Sequence, residues 1–131
     1  MNISSLSLED KCKHVVDHVT SDPRWNVEDE LMVQVLSFTL YGYALGCGRV
    51  IHLMDSEDIS AIPQRLISDL GVGPGYVTGM LEHAHAAFTD EADDSTHSQL
   101  VNLGYSHFNS DKINKCIESI FQNAEAIANA N

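Results

Sequence analysis

The sequence is poor in positive charge: seven Lys and Arg stand against nineteen Asp and Glu, a formal net charge of -12. Such a field repels phosphate backbones and anionic headgroups from every side, so neither nucleic acid nor a membrane surface is an expected partner. Cysteine is scarce too. Cys12, Cys47 and Cys116 are odd in number, far apart and never paired as CxxC, which argues against a disulfide scaffold. Each falls among apolar neighbours, where a free thiol acts as a small buried hydrophobe in a reducing compartment. No apolar run reaches the roughly 18 residues of a membrane span. The longest, Leu31 to Leu45, is interrupted by Gln34, Ser37 and Thr39 and reads as a core helix. Met1 to Ser5 carry neither the basic region nor the apolar stretch of a secretion signal. The expected location is cytoplasmic.

What remains describes an ordinary globular chain. Its 131 residues, 44% hydrophobic and 20% charged, are expected to form one domain, 1–131. Its mass of 14.4 kDa predicts roughly 6,800 Å² of exposed surface when folded. No stretch alternates apolar and polar residues with β-branched enrichment, and no internal repeat is present.

Helical periodicity dominates instead. Ser7 and Asp10 resemble a helix start, after which Leu8, Cys12, Val15, Val16 and Val19 recur until Ser21-Asp22-Pro23. Asn26 is placed to cap a second helix with Glu28, Asp29 and Glu30 in its first turn. Leu31, Val35, Phe38, Gly42 and Leu45 make one stripe of it, and Met32, Leu36, Leu40 and Tyr43 another. Apolar on two sides, it is the expected central helix. Ser56 opens a third through Ile59, Ile62, Leu66 and Leu70, with Gly71 to end it. Pro63 fits only near its start, so the helix begins either at Ser56 or nearer Ser60 with Asp55 to Asp58 as a turn. Gly71 to Gly75 is a turn, and Val77, Met80, Leu81, Ala84 and Phe88 mark a fourth helix. Thr89 to Ser95 reads as an acidic exposed loop ending in a cap for a fifth, weaker helix with Leu100, Leu103, Gly104 and Phe108. Ser110 starts the last, where Ile113, Cys116, Ile117, Ile120, Phe121, Ala124 and Ile127 give the clearest amphipathic pattern. The expected fold is all-α: about six helices in a compact bundle or orthogonal array around a central glycine-containing helix.

The most distinctive segment is Tyr41-Gly42-Tyr43-Ala44-Leu45-Gly46-Cys47-Gly48-Arg49. Three glycines inside a helix cost about 1 kcal/mol each relative to alanine. Gly42 and Gly46 share a face and suit close packing of another helix. A phosphate cradle would need a preceding strand and a following helix start, and neither is predicted. Gly48 can alternatively break the helix and leave Arg49 and His52 near a bend.

Seven histidines raise the question of a metal. His14 and His18 lie one turn apart and can chelate, with Asp17 on another face. His83 and His85 cannot share a helix face, and His52, His97 and His107 are isolated in sequence. There is no HExxH and no Cys/His cluster. Asp90, Glu91, Asp93 and Asp94 lack the alternating ligands and central glycine of a calcium loop. No GxSxG elbow or nucleophilic cysteine motif occurs. Neither catalytic residues nor a metal or other cofactor are expected.

Size, acidity and helical content, together with the Tyr41 to Gly48 segment, resemble the small all-α immunity proteins of bacterial polymorphic-toxin and type VI secretion systems. That resemblance implies a cytoplasmic protein that binds its cognate toxin, basic at the contact, and occludes it. Under this reading the acidic surface steers the partner, with contact residues Asp90, Glu91, Asp93, Asp94, Asp55, Glu57, Asp58 and Tyr105. Trp25, Tyr41 and Tyr76 are further candidate anchors, though Trp25 is read rather as a cover for the core. The alternatives are a small helical enzyme or metal-binding protein using convergent His and carboxylates, and a homo-oligomeric adaptor pairing through its glycine face. The alternative reading of the acidity itself is that it serves only solubility.

Overall fold

The computed structural model describes residues 7–90, 95–108 and 113–130. Six helices and no strand occur among them. α1 (Leu8–Thr20) begins where the Ser7 side chain accepts a bond from the Asp10 amide, and Leu8, Cys12, Val15, Val16 and Val19 bury one face of it. α2 (Glu30–Gly46) starts later than its acidic run suggests. The N-cap is Asp29, whose carboxylate accepts from the Met32 amide. Asn26 instead closes a local turn by accepting from the Glu28 amide at 3.0 Å. An Asx side chain serves either purpose, and here the turn wins because the chain must first swing Trp25 against the core.

α3 (Ser56–Ser68) begins at Ser56 and carries Pro63 within its length. Pro63 is buried against the core, and its packing there offsets the hydrogen bond its nitrogen cannot make. α4 (Pro74–Thr89) uses Pro74 in its first turn after Gly73, where a missing amide proton costs nothing. α5 (Thr96–Ser106) is capped by Ser95, which accepts from the Ser98 amide. α6 (Ile113–Ala130) buries Ile113, Cys116, Ile117, Ile120, Phe121 and Ala124. Ser110, the expected start of α6, lies outside the described residues.

α2 is the axle around which the others pack. From Val35 to Gly48 every residue is buried, and its contact with α5 is the most extensive of the helix pairs. The stretch Glu30–Ile51 is long and apolar enough to cross a membrane, but 83% of its most apolar window is covered by the rest of the protein. Gly42 of α2 and Gly104 of α5 set the crossing. A Cβ on Gly42 would overlap the Val101 carbonyl, and one on Gly104 would overlap the Thr39 carbonyl. Gly46 likewise lies against Tyr105 and Phe108. The two backbones therefore touch, at a distance only glycine permits.

Candidate protein-binding site

The helical path of α2 does not stop at Gly46. Residues Cys47–Ile51 continue it as one π-helical turn, a wider coil that recurs at functional sites. Gly48 lets this turn lie flat on the core: a Cβ there would come within 2.5 Å of Ile59 and 3.2 Å of Leu8. With one side of the turn pressed inward, the other faces solvent. The His52 amide then bonds to the Cys47 carbonyl at 3.1 Å and the Met54 amide to the Gly48 carbonyl at 2.8 Å. That reversal sets Leu53 at φ 54°, a left-handed conformation that costs a residue with a Cβ roughly 1–2 kcal/mol.

The result is a ridge of apolar side chains. Val50 is 46% exposed, Ile51 39% and Leu53 82%. Scattered exposed hydrophobes are unremarkable, but three within four residues on a strained support are not. Beneath the ridge lies the 2% exposed Lys11, whose Nζ approaches His52 Nε2 at 3.2 Å. For the amine to donate, Nε2 must hold its lone pair, which places the His52 proton on Nδ1. Burial first, and then the charge on Lys11, lower the His52 pKa below the ordinary histidine value.

Carboxylates flank the ridge. Asp55 precedes α3, and Glu57 and Asp58 occupy its first turn, where the helix dipole favours them. All three are exposed. α3 and α4 run antiparallel: Gln64 Nε2 donates to Thr78 Oγ1 at 2.6 Å near their connection, while Ser56 and Glu57 line a groove with Glu82 and His85 at the other end. Asp90, exposed at the end of α4, thus belongs to the same end of the helix pair as Asp55, Glu57 and Asp58. Glu91, Asp93 and Asp94 lie outside the described residues.

The groove between α3 and α4 encloses about 530 Å³. Behind its His85 wall, the Tyr41 hydroxyl lies 2.8 Å from Nδ1. Burial raises the Tyr41 pKa, so the phenol keeps its proton beside the His85 ring. Tyr41 is wholly buried and cannot be the partner anchor expected from sequence. Its polar tip instead serves the groove from inside. Trp25 is half-buried against the core. Tyr105 is half-buried between Phe88, at 5.4 Å, and Phe108, at 6.0 Å, in the aromatic seam where α5 meets α4. Tyr76 is 42% exposed and donates to Glu30 Oε1 at 2.9 Å.

Histidines isolated in sequence meet in space. His83 Nε2 and His97 Nδ1 are 3.0 Å apart, with Phe38 stacked on His97 at a centroid distance of 4.5 Å. His14 and His18 rings lie 4.2 Å apart on α1. Among the described residues no three His, Cys, Asp or Glu side chains are grouped to hold a metal ion. Burial raises the thiols of Cys12, Cys47 and Cys116, the last to about 12, so none is primed as a nucleophile.

Sequence reading missed the ridge and the three pairings Lys11–His52, Tyr41–His85 and His83–His97. Each pairing joins residues from separate elements, and no linear pattern marks it. The ridge left one signal, the glycine break at Gly48 followed by apolar residues. Compared with protein-family models, with curated proteins and with solved structures, the chain matches none.

Proposed function

We propose that this protein is a binding partner and inhibitor, of the immunity type, that neutralises a cognate bacterial toxin by covering it. The observation that carries the reading is the ridge Val50, Ile51 and Leu53, exposed on a strained π-helical support beside Asp55, Glu57 and Asp58. An apolar centre with a charged rim is the anatomy of a protein interface. A protein bearing -12 attracts basic surfaces over several ångströms and accelerates their encounter. The ridge supplies the short-range contact, and the acidic rim supplies rate and orientation.

The test is rescue of bacterial growth when the protein encoded beside this one is expressed with it. Wild type is expected to restore growth. The double variant V50D/L53D, folded by circular dichroism, is expected to lose that protection. A charge-reversed rim outside the groove, D55K/D58K, is expected to slow association and weaken its salt dependence while leaving dissociation within about threefold. Growth restored equally by all three proteins would sink the interface, and a neighbour that is neither toxic nor bound would sink the immunity reading. The ridge is also the surface a second copy would use. A dimer at micromolar concentration that V50D/L53D returns to monomer would replace inhibition with self-association.

A further inference from the structure

We infer that the groove between α3 and α4 is a socket for an arginine side chain presented by a basic protein partner. The groove opens beside the ridge, since Leu53 lies three residues before Ser56, and Ser56 and Glu57 form its lip. Its charged groups are Glu57 on α3 and Glu82 on α4, with no Lys or Arg in the wall. Among the described residues neither carboxylate makes an ion pair. Arg24 holds Asp22 and Glu118, and Arg65 holds Glu9; Arg49, whose charge reaches Tyr41 behind the wall, does not line the groove.

The neutral polar groups add acceptors to the carboxylates. Gln64 spends its amide nitrogen on Thr78 Oγ1, and Thr78 spends its proton on the Pro74 carbonyl. That fixes the Gln64 amide, leaving Oε1 to accept and one N–H still to donate. Ser60 donates to the Ser56 carbonyl at 2.9 Å and also meets the Tyr41 hydroxyl, so its oxygen is partly engaged. His85 closes the end of the wall, its ring held from behind by the Tyr41 hydroxyl. Ala61 and Leu81 complete the wall and suit the aliphatic stem.

Acceptors on two facing helices favour guanidinium over ammonium. A guanidinium presents five N–H groups in a planar fork that can reach both sides at once, whereas an ammonium is a compact and strongly hydrated point charge. At about 530 Å³ the groove has room for the side chain and part of the segment that carries it.

This inference takes its biological meaning from the protein-binding reading above, but its test does not depend on that reading. The full chain, labelled with ¹⁵N, is titrated with acetyl-Ala-Arg-Ala-amide, with the matching lysine peptide and with the norleucine peptide. Saturable shifts confined to Ser60, Gln64, Thr78, Glu82 and His85 are expected for the arginine peptide. Binding is expected to weaken at least threefold for lysine and to vanish for norleucine. The exposed-site variant E57Q/E82Q should weaken arginine binding by about tenfold, as loss of charge-assisted bonds does, with its other resonances unmoved. No saturable shift, shifts outside the groove, equal binding of lysine, or full binding by E57Q/E82Q would each overturn the socket. A socket that fails leaves the ridge to explain partner binding. Conversely, a socket that binds the peptide survives even if the cognate partner proves not to be a toxin.

Discussion

Under the proposed binding role, Leu53 works against stability in favour of contact. Its side chain is 82% exposed, so it contributes little to the core, and its φ of 54° is one that asparagine tolerates far better. A chain selected only for stability would not place leucine there. L53N is therefore expected to raise the unfolding free energy by about 0.5–1 kcal/mol, read from the urea midpoint at constant slope. In the same protein, affinity for the partner should fall at least tenfold, the usual loss when an interface anchor is removed. An L53N variant that is no more stable would mean the φ is unstrained, and one that binds as tightly would remove Leu53 from the interface. Lys11 is the opposite case, a charged residue used largely for its stem. Its four methylenes pack in the core while its amine reaches His52.

Among the elements, the α2–α5 crossing depends on bare backbone. A methyl at Gly42 would occupy the place of the Val101 carbonyl oxygen, and a carbonyl held in a helix cannot swing aside as a side chain can. G42A is expected to cost more than about 2 kcal/mol, overpacking outweighing the gain of about 1 kcal/mol that alanine brings to a helix interior. Gly79 of α4 provides the control, since a Cβ there meets nothing within 4 Å. G79A should gain about 0.5–1 kcal/mol by the same propensity, and thermal melts of the two variants should move in opposite directions. Much of this architecture is legible in the sequence, because the stripes of α1, α2 and α6 repeat at helical spacing and the core they predict is the core that forms. Boundaries are less so. Asn26 and Asp29 both have capping side chains, and only the position of Trp25 decides between them. Pro63 is readable as a breaker, yet it sits within α3 because tertiary packing outweighs one lost hydrogen bond. The site was least legible of all. Val50, Ile51 and Leu53 have the composition of core residues, and a one-residue widening of the helix turns them outward. The groove exists only once α3 and α4 fold back on each other.

At the scale of the whole molecule, two electrostatic effects oppose each other as the pH falls. His14, His52 and His107 all have pKa values lowered from 6.5, each mainly by burial and then by a neighbour: His18, Lys11 and Lys115 respectively. The unfolded chain therefore binds more protons than the folded one between the lowered values and 6.5, and stability increases with pH across that window. Their contribution is complete above about 6.5 and is lost as the pH falls through the folded values. Asp22 and Glu118 act lower down. Hydrogen bonds from Arg24 depress both, Asp22 to about 2, so their contribution is present above the ordinary carboxylate range and is lost as the pH falls towards 2. Against this, each proton taken up by a histidine offsets part of the self-repulsion of a chain at -12. Salt separates the two effects. Repulsion among exposed charges is screened within about 8–10 Å at 0.1–0.15 M, whereas the burial that lowers the histidines is not. Urea midpoints measured from pH 8 to 5 are therefore expected to fall with acid, and to fall more steeply at 0.5 M salt, where relief of repulsion no longer compensates. K11M should flatten the drop by removing the charge that helps to hold His52 neutral. A midpoint that rises from pH 8 to 5 at high salt would mean that the surroundings of these half-buried histidines do not disfavour their charged forms.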